Sequence, residues 1–150
     1  MSEIDGFHID PRLLQGKIHL HHLPMCQVLL VDDCHYPAWL LAVPRLNQIT
    51  ELTQLSHDEQ HRLWQELGIL AAIVKKICEP CKLNIASLGN IVPQLHIHIT
   101  ARRPDDPAWP GPCYGAVPAK PWNAADLDQL KQKFCHEIKV MDIASREVAR

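Results

Sequence analysis

The sequence has no apolar run that approaches the roughly 20 residues needed to cross a bilayer. Its start, Met1-Ser2-Glu3-Ile4-Asp5, lacks the basic and apolar regions of a signal peptide. Both absences predict a cytoplasmic chain with no membrane partner. Basic charge is not in excess either. The formal net charge is −2 with the ten histidines neutral, which leaves no electrostatic footprint for nucleic acid. Any anionic ligand must therefore be held locally, by backbone amides and a few side chains. There is no internal repeat and no low-complexity stretch. The six cysteines, Cys26, Cys34, Cys78, Cys81, Cys113 and Cys135, include one C-x-x-C, Cys78-Glu79-Pro80-Cys81. It has no second cysteine pair and follows a helical segment instead of opening one, as a redox motif would. Reduced thiols are the expectation in a cytoplasmic protein.

What remains is ordinary globular composition, 47% hydrophobic and 21% charged. A chain of 150 residues is long enough to bury a core, and we read 1–150 as a single domain. Asp10 before Pro11 forms an N-cap and first-position pair for one helical turn, with Gly16 ending it. Beyond that turn, His19 and His21 would share a strand face; a solvated edge accounts for them, and this segment is assigned no chemistry. Cys26–Val31 is a short β-branched run read as a strand. Asp32-Asp33 stops it, and Trp39–Val43 forms a second strand ended by Pro44. Strands joined so closely should pair antiparallel.

Ser56-His57-Asp58-Glu59 is a capping box. From it, Leu63, Trp64, Leu67, Leu70, Ala71, Val74 and Ile77 recur at helical spacing, predicting a helix of roughly 20 residues ending near Cys78. A second helix is predicted over about 123–141, with residues 145–150 fraying. These elements together give an α+β domain, a mostly antiparallel sheet with helices packed on one face.

The most informative stretch is Gln94-Leu95-His96-Ile97-His98-Ile99-Thr100. Its strict alternation reads as a strand. Gln94, His96 and His98 would then share one face, roughly 6.5–7 Å apart, while Leu95, Ile97 and Ile99 line the other. Two imidazoles so placed can address different atoms of one phosphoryl group. The preceding residues, Asn84 to Pro93, read as a short strand and a small-residue loop whose amides could face an anion. A solvent-facing strand would show the same alternation. Metal chelation by two strand histidines is a third possibility, but no further ligand lies close in sequence.

Residues 83–99, with the motif Gln94-Leu95-His96-Ile97-His98-Ile99, resemble the signature region of the histidine triad (HIT) family, which carries His-φ-His-φ-His-φ-φ, φ being apolar. The resemblance extends upstream through Trp39–Arg45 and the following helix, covering about 25–115. It implies an HIT-like fold and a homodimer. It also implies hydrolysis or transfer of nucleotidyl groups through a covalent nucleotidyl-histidine, on nucleoside phosphoramidates or dinucleoside polyphosphates, with no metal or cofactor required. The ligand would be a purine nucleotide or nucleotide conjugate. A nucleotide-binding module with little turnover is the alternative.

Matched residue by residue, His96 falls on the nucleophile, His98 on the third histidine and Gln94 on the first. Gln94 departs from the pattern, because an amide hydrogen-bonds but does not carry a proton on and off near neutral pH. Asp32 is the nearest match to the ribose-binding residue, with Asp33 competing for the role; a turn aspartate bonding its own backbone fits as well. Gly89, Asn90 and Asn84 correspond to positions around the phosphate or ribose. In the Pro-rich stretch 101–115, Trp109 or Tyr114 could stack on a base, and Arg102 or Arg103 could meet a phosphate. A stiff surface connection with Trp109 packed inward is the competing reading.

Overall fold

The computed structural model describes residues 6–148. Five strands, β1 (Lys17–His22), β2 (Cys26–Val31), β3 (Trp39–Pro44), β4 (Lys82–Ala86) and β5 (Ile97–Arg102), form one sheet in the order β1-β2-β3-β5-β4. Every neighbouring pair is antiparallel. Helix α1 (His57–Cys78) connects β3 to β4, and α2 (Ala124–Val148) follows the loop after β5. The α+β architecture expected from the sequence is what the chain adopts.

Alternation along the strands sorts their side chains. Val28, Leu30, Leu40, Ala42, Ile97, Ile99 and Ala101 share the main core with Leu63, Leu67, Leu70 and Val74 of α1 and Phe134 and Ile138 of α2. Each fully buried leucine or isoleucine contributes roughly 1.5–3 kcal/mol by leaving water. On the opposite face Leu29, Leu41 and Val43 pack with Leu13 and Val92. The first face lies under helices and the second under loops, so β2 and β3 read as nearly continuous apolar runs.

Helix α1 starts as expected, with Ser56 and Glu59 making the reciprocal capping box, and ends on Glu79 in the left-handed region (φ 43°). Its buried stripe differs from the expected one. Trp64 is turned outward, whereas Glu66 is turned in, where its carboxylate accepts the Met25 and Cys26 amides at 2.7 and 2.9 Å. Two backbone donors at the start of β2 thus have a partner that periodicity could not reveal. Helix α2 runs to Val148, past the predicted end near 141, and the expected fraying is not seen as far as that residue; residues 149–150 lie outside the described residues. In β1 the register shifts between His19 and His21. The bulge breaks the simple alternation that would pair them, and His19 instead meets His22 edge to face at 4.5 Å.

Candidate active site

The signature strand begins later than its alternation implies. Ala42 is the last β3 residue opposite β5, pairing with Ile97. Before Ile97 the chain leaves the sheet, and the Leu95 amide bonds the Ile49 carbonyl instead. Gln94 and His96 therefore sit in a loop entering β5, and His98 is inside the strand. The two imidazoles still meet, with ring centroids 5.0 Å apart at an interplanar angle of 69°.

Each ring has one nitrogen committed. His96 Nδ1 lies 2.7 Å from the Gln94 carbonyl, which can only accept, so in the neutral ring Nδ1 carries the hydrogen and Nε2 the lone pair. Trp39 Nε1 donates to His98 Nδ1 at 2.9 Å. An indole has no acceptor nitrogen, so His98 has the opposite tautomer, with its hydrogen on Nε2. Tyr114 packs on His98 at 4.9 Å and on Trp39 at 5.8 Å. In this wall His98 is pushed down to about 3, first by burial and then by the charges of His96 and Lys17.

Both rings line a cavity of about 400 Å³ whose rim includes Leu88, Gly89, Asn90, Ile91 and Val92. Gly89 has φ +77°, a conformation that a side chain would strain, and the turn it makes holds the loop beside the histidines. Two cationic residues also reach the cavity, Arg12 and Lys17. Arg12 is paired with Asp10 at 2.6 Å. Lys17 Nζ donates to the Gln15 carbonyl at 2.8 Å, and burial lowers its pKa. The segment to which sequence reasoning assigned no chemistry thus supplies part of the site. No local motif signalled this, because the contacts span most of the chain.

Gln94 explains how that segment is held. Its Nε2 donates to the His8 carbonyl at 2.9 Å, and its Oε1 accepts the Asp10 amide at 2.7 Å. A carboxamide presents a donor and an acceptor side by side, like a peptide edge, whereas the two nitrogens of an imidazole diverge. Gln94 is well shaped to pin residues 8–10, and Arg12 continues the strap with a 3.3 Å bond to the Ile91 carbonyl.

Other candidates lie elsewhere. Asp32 accepts the Trp122 amide at 2.8 Å, and Asp33 accepts the amides of His35 and Lys120; neither lines the cavity. Asn84 Oδ1 accepts from Arg102 at 2.6 Å. Arg102 is fully buried, forms a two-bond pair with Asp106 at 2.7 and 2.9 Å, and donates to the Gly111 carbonyl. Its charge is spent on folding the loop, so it is not available for a phosphate. Arg103 donates to the Cys78 carbonyl. Trp109 stacks near Arg102, 5.8 Å from its guanidinium carbon to the ring centre, and is not part of the cavity wall, whereas Tyr114 is. Cys78 and Cys81 are free thiols bonded to the carbonyls of Pro37 and Arg102. Among the described residues, no three His, Cys, Asp or Glu side chains are grouped so as to hold a metal ion, and no helix is long and apolar enough to cross a membrane.

The fold and the site define a class: an antiparallel α+β domain that presents paired histidines of opposite tautomer beside a glycine-containing loop. The HIT domain family model matches residues 16–105, so the chain belongs to the histidine triad family. Solved histidine triad proteins superpose closely. One from Bradyrhizobium japonicum is 37% identical, with a TM-score of 0.85, the match covering 88% of this chain and 98% of that one. One from Sinorhizobium meliloti is 37% identical at 0.84, covering 88% and 97%. A third, from Marinobacter aquaeolei, is 34% identical at 0.84, covering 89% and 96%. A comparison with curated proteins gave no match.

Proposed function

We propose that this protein is a nucleotide hydrolase or nucleotidyltransferase working through a covalent nucleotidyl-histidine, with residues 1–150 acting as one unit. The observation that carries this reading is the 2.7 Å bond between His96 Nδ1 and the Gln94 carbonyl. It leaves Nε2 as a lone-pair nitrogen on a ring that lines the cavity. Nε2 attacks the α-phosphorus of a nucleoside phosphoramidate or dinucleoside polyphosphate, the bond to the leaving group breaks, and water then cleaves the N–P bond. His98 Nε2–H donates to a phosphoryl oxygen as charge builds. The amides around Gly89 and Asn90 hold the phosphate, and the apolar rim of Leu88, Ile91 and Val92 takes the base of a purine nucleotide. Gln94 positions the site through the 8–10 strap and takes no proton. Asp32, Asn84 and Trp109 act indirectly, by fixing the segments that bear on the cavity. No metal or cofactor enters the scheme. The active form is a homodimer, as the family resemblance implies, working in the cytoplasm.

The test is AMP release from adenosine 5′-phosphoramidate and from diadenosine tetraphosphate. The parent should turn over at least one, and His96→Ala neither, while AMP binding survives. The second reading, a binding module with little turnover, draws on Gln94, whose amide is occupied by backbone and cannot relay a proton. It predicts AMP binding with no release by either protein.

A further inference from the structure

We infer that Trp39 is a positioning residue that fixes His98 as a donor through Nε2, so that the site takes nucleotidyl substrates whose leaving group departs as a stable oxyanion. The inference rests on the reading of His96 as nucleophile and narrows its substrate class.

The Trp39 indole N–H can donate and never accept. Its 2.9 Å bond to Nδ1 exists only while that nitrogen has a lone pair, and protonating His98 would set two N–H groups against each other. Every neighbour of His98 acts in the same direction. Tyr114 and Trp39 enclose it, His96 faces it from the loop before β5, and Lys17 adds positive charge from β1. Among the described residues, no carboxylate lines the cavity to offset them. His98 can therefore stabilise phosphoryl oxygens with a neutral N–H but does not carry the extra proton of a general acid.

The other proton-bearing side chains in the wall do not replace it. Arg12 is a guanidinium already paired with Asp10. The Tyr114 hydroxyl is pushed up to about 12 by burial. Lys17 reaches the cavity from β1, but its Nζ is hooked to the Gln15 carbonyl on its own side of the sheet.

The group-transfer step then balances without a proton. The lone pair of His96 Nε2 forms the N–P bond, and the P–O bond breaks with its electron pair leaving on oxygen. In the second step water adds to phosphorus, the N–P electrons return to Nε2, and one water proton is lost to solvent. An amine would have to leave as an amide anion or find a proton that the described wall does not supply. Phosphoric anhydride and acyl or aryl phosphate oxygens leave unaided.

The experiment has two arms. Nitrogen NMR of the ¹⁵N-histidine-labelled parent, needing no variant and no turnover, reads the His98 tautomer from pH 5 to 8. The expected result is an unprotonated Nδ1 and protonated Nε2 throughout, and in Trp39→Phe a titration moved up toward the ordinary histidine range. In the second arm, adenosine 5′-(4-nitrophenyl phosphate) is compared with adenosine 5′-(phenyl phosphate). The parent should favour the better leaving group by about 100-fold or more, the scale on which general acids act, and Trp39→Phe should narrow that ratio. A parent His98 that titrates near pH 6–7, or a tautomer that Trp39→Phe leaves unchanged, overturns the positioning role. A parent that handles both aryl esters equally overturns the substrate assignment. If the parent cleaves neither ester and also fails to release AMP from diadenosine tetraphosphate, the hydrolase reading falls, and with it the substrate assignment; the NMR arm still decides the part played by Trp39.

Discussion

At the scale of single residues, the protonation of His98 links the site to stability. The unfolded chain takes up this proton near pH 6.5, whereas the folded protein resists it down to about 3. Between those values the unfolded state binds more protons, so the stability contributed by neutral His98 is complete above pH 6.5 and declines on acidification, by at most about 1.4 kcal/mol per pH unit. Urea unfolding from pH 7 to 4 should show a shallower loss in His98→Gln than in the parent; parallel profiles would mean that His98 titrates normally when folded. Glu66 makes a separate prediction. Removing its carboxylate strands the Met25 and Cys26 amides inside the protein, so Glu66→Ala should lose about 1–3 kcal/mol for each stranded donor, read as a lower urea midpoint.

At the scale of elements, two segments are tied down by buried polar anchors. The loop after β5 is folded around Arg102, whose guanidinium binds Asp106, Asn84 and the Gly111 carbonyl. Arg102→Met leaves Asp106 as an uncompensated buried carboxylate and should cost about 3–5 kcal/mol, most of which Arg102→Met/Asp106→Leu recovers; a double-mutant cycle on unfolding free energies measures this. The N-terminal strap depends on Gln94. In Gln94→Ala the Asp10 amide loses its acceptor, so its hydrogen exchange should speed up, and KM should rise more than kcat falls because the strap that carries Arg12 to the cavity loosens. Equal exchange rates in the two proteins would remove the anchoring role.

These anchors also mark the limit of what could be read before the structure. β2, β3 and the start of α1 were legible because a short β-branched run, a run ended by proline and a capping box are local signals. The ring pair His96 and His98 was legible for the same reason, although pairing with β3 ends at Ala42 and leaves His96 outside the strand. The bonds that define the site's chemistry join residues far apart in the chain, Trp39 with His98 and Gln94 with His8 and Asp10. A propensity or spacing argument does not see such pairs. Glu66 on an apolar helix face and Trp64 on the wet one reversed the expected pattern because two unpaired amides outweighed hydrophobicity.

For the whole molecule, one face of the sheet is devoted to stability and the other to chemistry. Helices α1 and α2 cover the first with the main core, while the N-terminal strap, the Gly89 loop and Tyr114 enclose the cavity on the second. The proposed reaction would therefore take place above the sheet, within loops that touch the core only through residues such as Leu13 and Val92. Light scattering should give twice the 17.0 kDa chain mass if the assembly is the homodimer proposed, and the single chain mass would count against it.

The central claim is that His96 becomes covalently nucleotidylated. Intact-mass spectrometry after rapid mixing with an adenylyl substrate tests it most directly. The account predicts a transient adenylyl adduct on the parent and none on His96→Ala. An adduct that persists in His96→Ala, or turnover by the parent with no adduct at any mixing time, would contradict it.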